Sequence, residues 1–199
     1  MKNFIRLLLC VLALTSACAG NLSAQSEERP PWIWIGPRIG LTGVAATPKH
    51  FNSLIQEIFP SDRKYFPLYS QIGLSVQQHV PLGQSDFHLT FQELIFVAGF
   101  DQAMALPSIS LLLGLRAPFG LEVGLGPDLS LKSKSGSAAL APAMIYAVGW
   151  IFSLGEIFVP VTFTAIPIPP EGKSRLSLLA GMDFGLKPKS TKKDTPFNY

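Results

Sequence analysis

The stretch from Leu121 to Lys132 reads LEVGLGPDLSLK, and its leucine and valine residues fall at alternate positions. Because successive side chains of a β-strand point to opposite faces, this segment has one apolar face and one face of polar or very small residues. The same alternation returns in residues 109–115 and 176–186. The pattern therefore predicts strands that meet an apolar medium on one side and a polar medium on the other.

The first 24 residues have the pattern of a secretory signal peptide. Lys2 and Arg6 precede a short apolar run at residues 7–14, and small residues follow it up to Ala24. The run is too short to cross a bilayer as a helix. We expect export of the chain and cleavage after Ala24, which leaves a polar leader at residues 25–31.

Both cysteines, Cys10 and Cys18, lie in this signal segment. After cleavage, the mature chain of about 175 residues would hold no thiol, which excludes disulfides, thiolate metal sites and cysteine nucleophiles. An alternative remains for this segment, because residues 15–18 are a loose version of the lipoprotein processing site. In that case Cys18 would carry a lipid.

Composition indicates a large surface that does not face water. Only 15% of the residues are charged and 48% are apolar, whereas about a quarter of a soluble domain is usually charged. The net charge is +3, and four lysines lie in the terminal stretch at residues 187–199. We interpret that stretch as a solvated basic tail and expect no nucleic-acid surface.

We predict eight strands, at residues 32–43, 68–80, 86–100, 106–117, 121–132, 138–152, 157–167 and 175–186. Each is near the ~9 to 11 residues that a tilted strand needs to cross a bilayer. Bacterial outer-membrane barrels have an even number of strands, and eight is the smallest size. Together with the signal segment, the alternation predicts an all-β fold, an eight-stranded antiparallel transmembrane β-barrel over residues 32–186.

The third predicted strand changes phase. Phe87, Leu89 and Phe91 share one face, but Leu94, Phe96 and Ala98 share the other. An extra residue in one strand of a pair would produce such a shift. We therefore expect a β-bulge at residues 92–93. In the other seven strands, the face that we assign to lipid carries no charged residue.

Connections between the predicted strands alternate in character. Short turns containing glycine lie at residues 81–85, 118–120 and 153–156, whereas longer or more polar connections lie at 44–67, 101–105, 133–136 and 168–174. Outer-membrane barrels have short periplasmic turns and longer extracellular loops. In the first long loop, apolar residues recur at helical spacing and predict a short amphipathic helix: Phe51, Leu54, Ile55, Ile58 and Phe59. We expect it at the barrel rim or the membrane interface; the alternative is a partner-binding helix.

Two features fit a barrel poorly. Pro127, Pro142 and Pro160 fall inside predicted strands, where proline cannot donate to the ladder, so bulges or strand ends must absorb them. Residues 135–155 carry no charge and are long enough for a transmembrane helix. However, most small residues there fall at odd positions and most large residues at even positions, which is typical of a strand. Pro142 would also break a helix.

Aromatic residues lie near the ends of the predicted strands, as in the interfacial girdles of outer-membrane barrels. This group comprises Trp32, Trp34, Tyr65, Phe66, Tyr69, Trp150 and Phe152. We expect them at the two membrane surfaces, and ligand stacking is the alternative.

The inward positions of the predicted strands carry the polar candidates. We expect a network of ion pairs and hydrogen bonds inside the barrel, formed by Arg38, His79, Arg116, Glu122, Asp128 and Asp183. The turn at residues 118–120 places Arg116 opposite Glu122. An eight-stranded barrel is just wide enough for its own side chains, so we expect no open channel. A narrow path for ions or solutes is the alternative.

The chain resembles the bacterial outer-membrane β-barrel family, in particular its small eight-stranded surface proteins. The residues from Gly181 to Leu186 read GMDFGL and look like the last-strand signal that the barrel assembly machinery recognises. The resemblance implies insertion by that machinery, contact with outer-membrane lipids, a location in the cell outer membrane and display at the surface. It implies no single activity or surface ligand.

Catalytic motifs are absent from the sequence. His50, His79 and His88 occur without a G-x-S-x-G, H-E-x-x-H or phosphate-binding glycine loop. We therefore predict a non-enzymatic membrane protein with a structural or surface-interaction role, and with no cofactor or metal. The alternatives are a narrow outer-membrane pore, a lipid-modifying enzyme at the barrel rim, and a secreted soluble calyx that binds a lipid.

Overall fold

The computed structural model describes residues 33–59, 62–83, 85–134, 137–155, 157–168 and 173–186. The predicted signal peptide, the polar leader, Trp32 and the basic tail lie outside these ranges. The strands are β1 (Ile33–Val44), β2 (Leu68–Pro81), β3 (His88–Ala98), β4 (Leu106–Arg116), β5 (Leu121–Lys134), β6 (Ser137–Leu154), β7 (Ile157–Ile168), β8 (Lys173–Gly181) and β9 (Asp183–Leu186). One α-helix, α1 (Pro48–Ile58), and a 3₁₀ turn at Phe100–Gln102 lie in the connections.

The strands close into a barrel. Consecutive strands pair antiparallel from β1 to β8, and β1 also pairs with β8 and β9. Segments β8 and β9 form one barrel strand, because β9 continues the register of β8 against β1, with Gly181 opposite Arg38 and Phe184 opposite Ile35. The fold is therefore the predicted eight-stranded antiparallel transmembrane β-barrel. No helix in the described ranges is long and apolar enough to span a membrane.

Three of the prolines lie beside gaps in the ladders. Pro37 of β1 and Pro160 of β7 flank the break between β8 and β9, and neither can donate a backbone hydrogen bond to it. Pro127 lies in a second gap, because the β4–β5 pairing stops at Asp128 and resumes at Leu125. The barrel therefore tolerates these three prolines by giving up single ladder bonds. Pro142 pairs with Leu129 in the uninterrupted β5–β6 ladder, and the described β6–β7 pairing begins only at Tyr146, so neither a bulge nor the end of β6 lies at Pro142.

The predicted bulge in the third strand is wrong. Strand β3 pairs without interruption from His88 to Ala98 with both β2 and β4, so it contains no extra residue. Leu94 and Phe96 instead point into the barrel, where they are 2% and 5% exposed. The apolar phase changes because part of the lumen is itself apolar, and Glu93 consequently lies on the outer wall.

An apolar cluster occupies the middle of the lumen. It comprises Leu94, Phe96, Leu112, Ile145, Ile166 and Leu179 from five different strands. All six are buried, so they fill the lumen as a small core would. The expectation of a wholly polar interior is therefore too simple.

The outer wall is apolar over most of its area. Leu125 and Leu178, which belong to the alternating stretches at residues 121–132 and 176–186, are 52% and 56% exposed, whereas Asp128 is fully buried. Phe66, Trp150 and Phe152 are exposed near strand ends, as a girdle requires.

The girdle prediction is wrong for three other aromatic residues. Trp34, Tyr65 and Tyr69 are buried. Trp34 and Tyr69 have the inward parity of their strands and pack inside the barrel at its two ends. Position near a strand end therefore did not distinguish an outward ring from an inward one.

Candidate functional site

The barrel lumen and the segment that covers it form the candidate site. We call the end formed by residues 82–83, 85–87, 117–120 and 155 the turn end, and the end that carries residues 45–59, 62–67 and 99–105 the loop end. Charged side chains occupy the lumen at three successive levels between these ends. Each level pairs one arginine with one carboxylate.

The turn-end level joins four side chains. Arg116 Nη2 lies 2.7 Å from Glu122 Oε2, and these residues face each other across β4 and β5. Gln77 Nε2 donates to both Glu122 oxygens at 2.8 and 3.0 Å, and Gln77 Oε1 accepts from Arg116 at 3.0 Å. Arg116 Nη1 lies 3.2 Å from His79 Nδ1. Because arginine only donates, Nδ1 accepts, and the neutral imidazole carries its proton on Nε2.

Aromatic rings close the lumen beyond this level. Trp34 stacks on His79 with ring centroids 5.7 Å apart, and it meets Phe158 edge-on at 4.2 Å. The ring centroids of His88 and His79 are 6.2 Å apart. The Trp34 Nε1 and His79 Nε2 atoms are buried without a partner in the described part of the chain. The predicted His79 is therefore part of a packed ring cluster.

The middle level is the most deeply buried. Arg38 binds Asp183 in a bidentate pair, with Nη1–Oδ1 and Nη2–Oδ2 distances of 2.7 Å, and both side chains are 3% exposed. Ser75 Oγ lies 3.3 Å from Asp183 Oδ1. Glycines make the room: a Cβ on Gly36 would lie 2.8 Å from Asp183 Oδ1, and one on Gly181 would lie 2.4 Å from Arg38 Nη1.

The third level lies toward the loop end. Asp128 Oδ2 accepts from Arg175 Nη2 at 2.9 Å, and Asp128 Oδ1 accepts from Ser110 Oγ at 2.8 Å. The hydroxyls of Thr42 and Ser177 bond to each other at 2.9 Å. Asp128 is fully buried, whereas the Arg175 side chain is 19% exposed. This level therefore neutralises a carboxylate that no solvent reaches.

Helix α1 covers the loop end. Its first turn is capped by Thr47, whose Oγ1 accepts from the backbone N–H of His50 at 3.4 Å. Phe51 and Ile55 are buried against Tyr69 of β2 and Ala98 of β3. The helix also contacts β5 and β6 on the other side of the barrel. The predicted amphipathic helix is therefore present, and it lies across the barrel mouth.

Amide side chains hold this cover in place. Asn52 Oδ1 accepts from the backbone N–H of Tyr65, and Asn52 Nδ2 donates to the Tyr65 carbonyl at 2.8 Å. Gln102 Oε1 accepts from the Phe66 N–H at 2.7 Å, and Gln102 Nε2 donates to the Leu68 carbonyl at 2.7 Å. These bonds tie the end of the first long connection to α1 and to the second long connection.

Asp101 adds a charged contact between β2 and the second long connection. Its Oδ1 accepts from the Ser70 hydroxyl at 2.7 Å and from the Ser70 N–H at 3.0 Å. Partial desolvation acts to raise the pKa of the Asp101 carboxyl, but the hydrogen bonds from Ser70 and from neighbouring groups outweigh it and leave the pKa below its ordinary value.

A cavity near the turn end is lined by residues of β2 to β7. Its volume is about 10 Å³, about enough for one water molecule. Its polar lining is Gln77, Gln92, Glu122 and Thr162, and small residues such as Gly114 and Gly124 leave the room. The structure brings no cluster of three His, Cys, Asp or Glu side chains into metal-binding proximity within its described ranges.

The six predicted site residues all lie in the lumen, but in three separate groups. Arg38 with Asp183, Arg116 with Glu122 and His79, and Asp128 are not joined into one network by the bonds described here. Sequence reasoning missed Arg175, the partner of Asp128, and also Gln77. Both have the inward parity of strands whose other inward residues were recognised, so alternation alone would have found them.

No family model matches the chain, and no curated protein matches its sequence. Among solved structures, Neisserial surface protein A (NspA) is 8% identical, with a TM-score of 0.45, over 80% of this chain and 100% of that chain. Ail, the attachment invasion locus protein of Yersinia pestis, is 11% identical, with a TM-score of 0.43, over 76% of this chain and 97% of that chain. Ail in complex with the heparin analogue sucrose octasulfate is 10% identical, with a TM-score of 0.41, over 76% of this chain and 97% of that chain. All are small eight-stranded outer-membrane barrels. The barrel assignment for this chain rests on its own closed strand pairing.

Proposed function

We propose that this chain is a non-enzymatic integral protein of the bacterial outer membrane, with a structural or surface-interaction role. Its barrel is a closed support that holds the loop end at the cell surface. The observation that carries this proposal is the filled lumen, in which three ion-pair levels, an apolar cluster and α1 follow one another from end to end. An eight-stranded barrel filled by its own side chains has no room for a water column.

The outer wall supports the location. A continuous apolar band on a closed barrel suits lipid, and the partners that we propose for it are outer-membrane lipids. Insertion by the barrel assembly machinery is proposed from the sequence at residues 181–186. Long connections of outer-membrane barrels face the cell exterior, so α1 would lie on that side.

Conductance distinguishes the closed support from its main alternative, a narrow pore. The cavity beside Glu122 favours the pore, because it places a carboxylate next to open space. We expect refolded protein in planar bilayers to show no single-channel current above bare lipid. Heat-modifiable migration of the same sample in detergent gels is the control for correct insertion. Discrete current steps from such a sample would overturn the closed support.

Lipid chemistry tests the non-enzymatic part. The ring contacts of His79 and His88 at the turn end support a packing role for these histidines. We expect outer-membrane lipid profiles to be the same in cells with and without the protein, and in vesicles that contain it. A lipid product that depends on the protein would contradict this. Recovery in the outer-membrane fraction tests the location, and solubility without detergent would favour the calyx instead.

A further inference from the structure

The outer wall carries one charged residue in the described strands, Glu93. It has the outward parity of β3, between Phe91 and Ile95, which are 46% and 37% exposed. On the neighbouring strands it lies opposite Val76 and Leu111. Its surroundings on the wall are therefore apolar in all four directions.

The height of Glu93 places it deep in the membrane. Strand β3 has 11 residues, and Glu93 is the sixth, with five on either side. At about 3.4 Å per residue and a tilt of about 40°, the carboxyl lies about 13 Å from each end of the strand. The apolar band of such barrels is about 25 Å tall, so Glu93 lies near its middle.

No hydrogen bond or ion pair within the described ranges satisfies the Glu93 carboxyl. A polar group that faces hydrocarbon without a partner is costly, and ionisable residues at this depth usually mark a functional contact. Hydrocarbon disfavours the charged form, so the group that meets lipid is the neutral acid. A neutral carboxyl has one donor and a free acceptor oxygen.

We propose that the outer wall around Glu93 is a membrane-embedded interface for a second copy of this chain. Two copies inserted in the same direction are related by a two-fold axis along the membrane normal, which keeps every residue at its own height. The two Glu93 carboxyls can therefore meet at one level. A neutral carboxyl is its own complement, because each acid donates its O–H to the carbonyl oxygen of the other.

The surrounding residues suit this contact. The outward faces of β2, β3 and β4 supply exposed apolar side chains on both sides of Glu93, including Leu74, Phe91 and Leu113. Within the membrane, apolar packing alone gives little preference for protein over lipid, so buried polar pairs decide which surfaces associate. Glu93 supplies that preference at one place on the barrel.

Association in lipid vesicles tests the proposal. Full-length chain, with Cys10 and Cys18 replaced by serine, is labelled at the turn end and reconstituted at several protein-to-lipid ratios, and energy transfer gives the association constant. We expect Glu93→Leu to lower this constant at least about tenfold, equivalent to about 1.4 kcal/mol. Glu93→Gln should stay close to the parent, because a carboxamide is also self-complementary.

Cross-linking gives an independent readout with a matched control. Phe91→Cys places a thiol beside the proposed axis, and Phe163→Cys places one at a similarly exposed phenylalanine on β7, across the barrel from β3. We expect oxidation to produce a disulfide dimer from Phe91→Cys and none from Phe163→Cys. Heat-modifiable migration confirms that each variant is folded.

Four results would overturn the interface. The parent chain could remain monomeric at every protein density, Glu93→Leu could associate as strongly as the parent, or the two thiols could cross-link equally. Purification of the parent with a different membrane protein bound at Glu93 would also overturn it, because the occupant would not be a second copy. All of these readouts are separate from conductance and lipid chemistry.

Discussion

Replacing Asp183 with asparagine removes the counter-charge of a deeply buried arginine. Arg38 and Asp183 form two 2.7 Å bonds, and each side chain is only 3% exposed. Breaking such a pair from one side leaves an uncompensated charge, which costs about 3 to 5 kcal/mol. Asparagine has nearly the same shape as aspartate, so the loss reports charge and hydrogen bonding without a cavity.

The free energy of unfolding in liposomes measures this cost. Urea titrations followed by tryptophan fluorescence, with gel migration as a second probe, give the difference between parent and Asp183→Asn. Asp86→Asn is the matched control, because Asp86 is exposed in a turn, and we expect a change within about 0.5 kcal/mol there. The double variant Arg38→Met with Asp183→Leu should recover most of the loss, because it removes both charges.

Two outcomes would refute this reasoning. If Asp183→Asn costs less than about 1 kcal/mol, Arg38 is solvated in a way that its burial does not allow. If the double variant is as unstable as the single variant, the loss comes from altered packing around the glycines and not from the unpaired charge.

Three further predictions address other parts of the barrel. Gly36→Ala should destabilise the fold by about 3 kcal/mol or more, because its Cβ would lie 1.6 Å from a carbonyl oxygen on the neighbouring strand, whereas Gly43→Ala, with its nearest atoms 4.0 Å away, should be tolerated in the same urea titration. Asn52→Ala should increase hydrogen exchange in residues 48–67 and leave the unfolding midpoint of the barrel nearly unchanged; equal exchange would show that the side chain does not hold the cover. Because the pKa of Asp101 is depressed in the folded protein, its carboxylate contributes its full stabilisation above the ordinary carboxyl pKa and loses it as the pH falls through the folded pKa. The difference in the free energy of unfolding between parent and Asp101→Asn should therefore shrink in acid. A difference that grows in acid would contradict this.

Alternation predicted the strands well because lipid makes one face of each strand uniformly apolar. Strands β4 and β5 begin at Leu106 and Leu121, the residues at which the pattern places them. The same reasoning failed in β3, where Leu94 and Phe96 are apolar and point inward. A single sequence does not show which of two apolar faces of a strand meets lipid. Apolar residues that point into the lumen therefore produce the same pattern as a bulge that shifts the outward face by one residue.

The ion pairs were harder to predict the farther apart their partners lie along the chain. Arg116 and Glu122 flank one tight turn, which sets their register directly. Arg38 and Asp183 are 145 residues apart, and Asp128 and Arg175 are 47 apart. Alternation places these side chains inside the barrel, but their partners depend on the stagger of every strand between them.

The lumen and the outer wall contribute to the fold in different ways. An outward leucine stays in an apolar medium whether the chain is folded, associated or unfolded within lipid. The outer wall therefore favours a location in the membrane but does little to select the register of the strands. Inside, every unpaired polar group would be costly, and two of the three ion pairs join strands that are distant in sequence. The three ion-pair levels therefore hold the register that the wall leaves open. Glu93 is the exception on the outer wall. Its carboxyl needs a hydrogen-bond partner, as the polar side chains of the lumen do, and the chain itself supplies none within the described ranges.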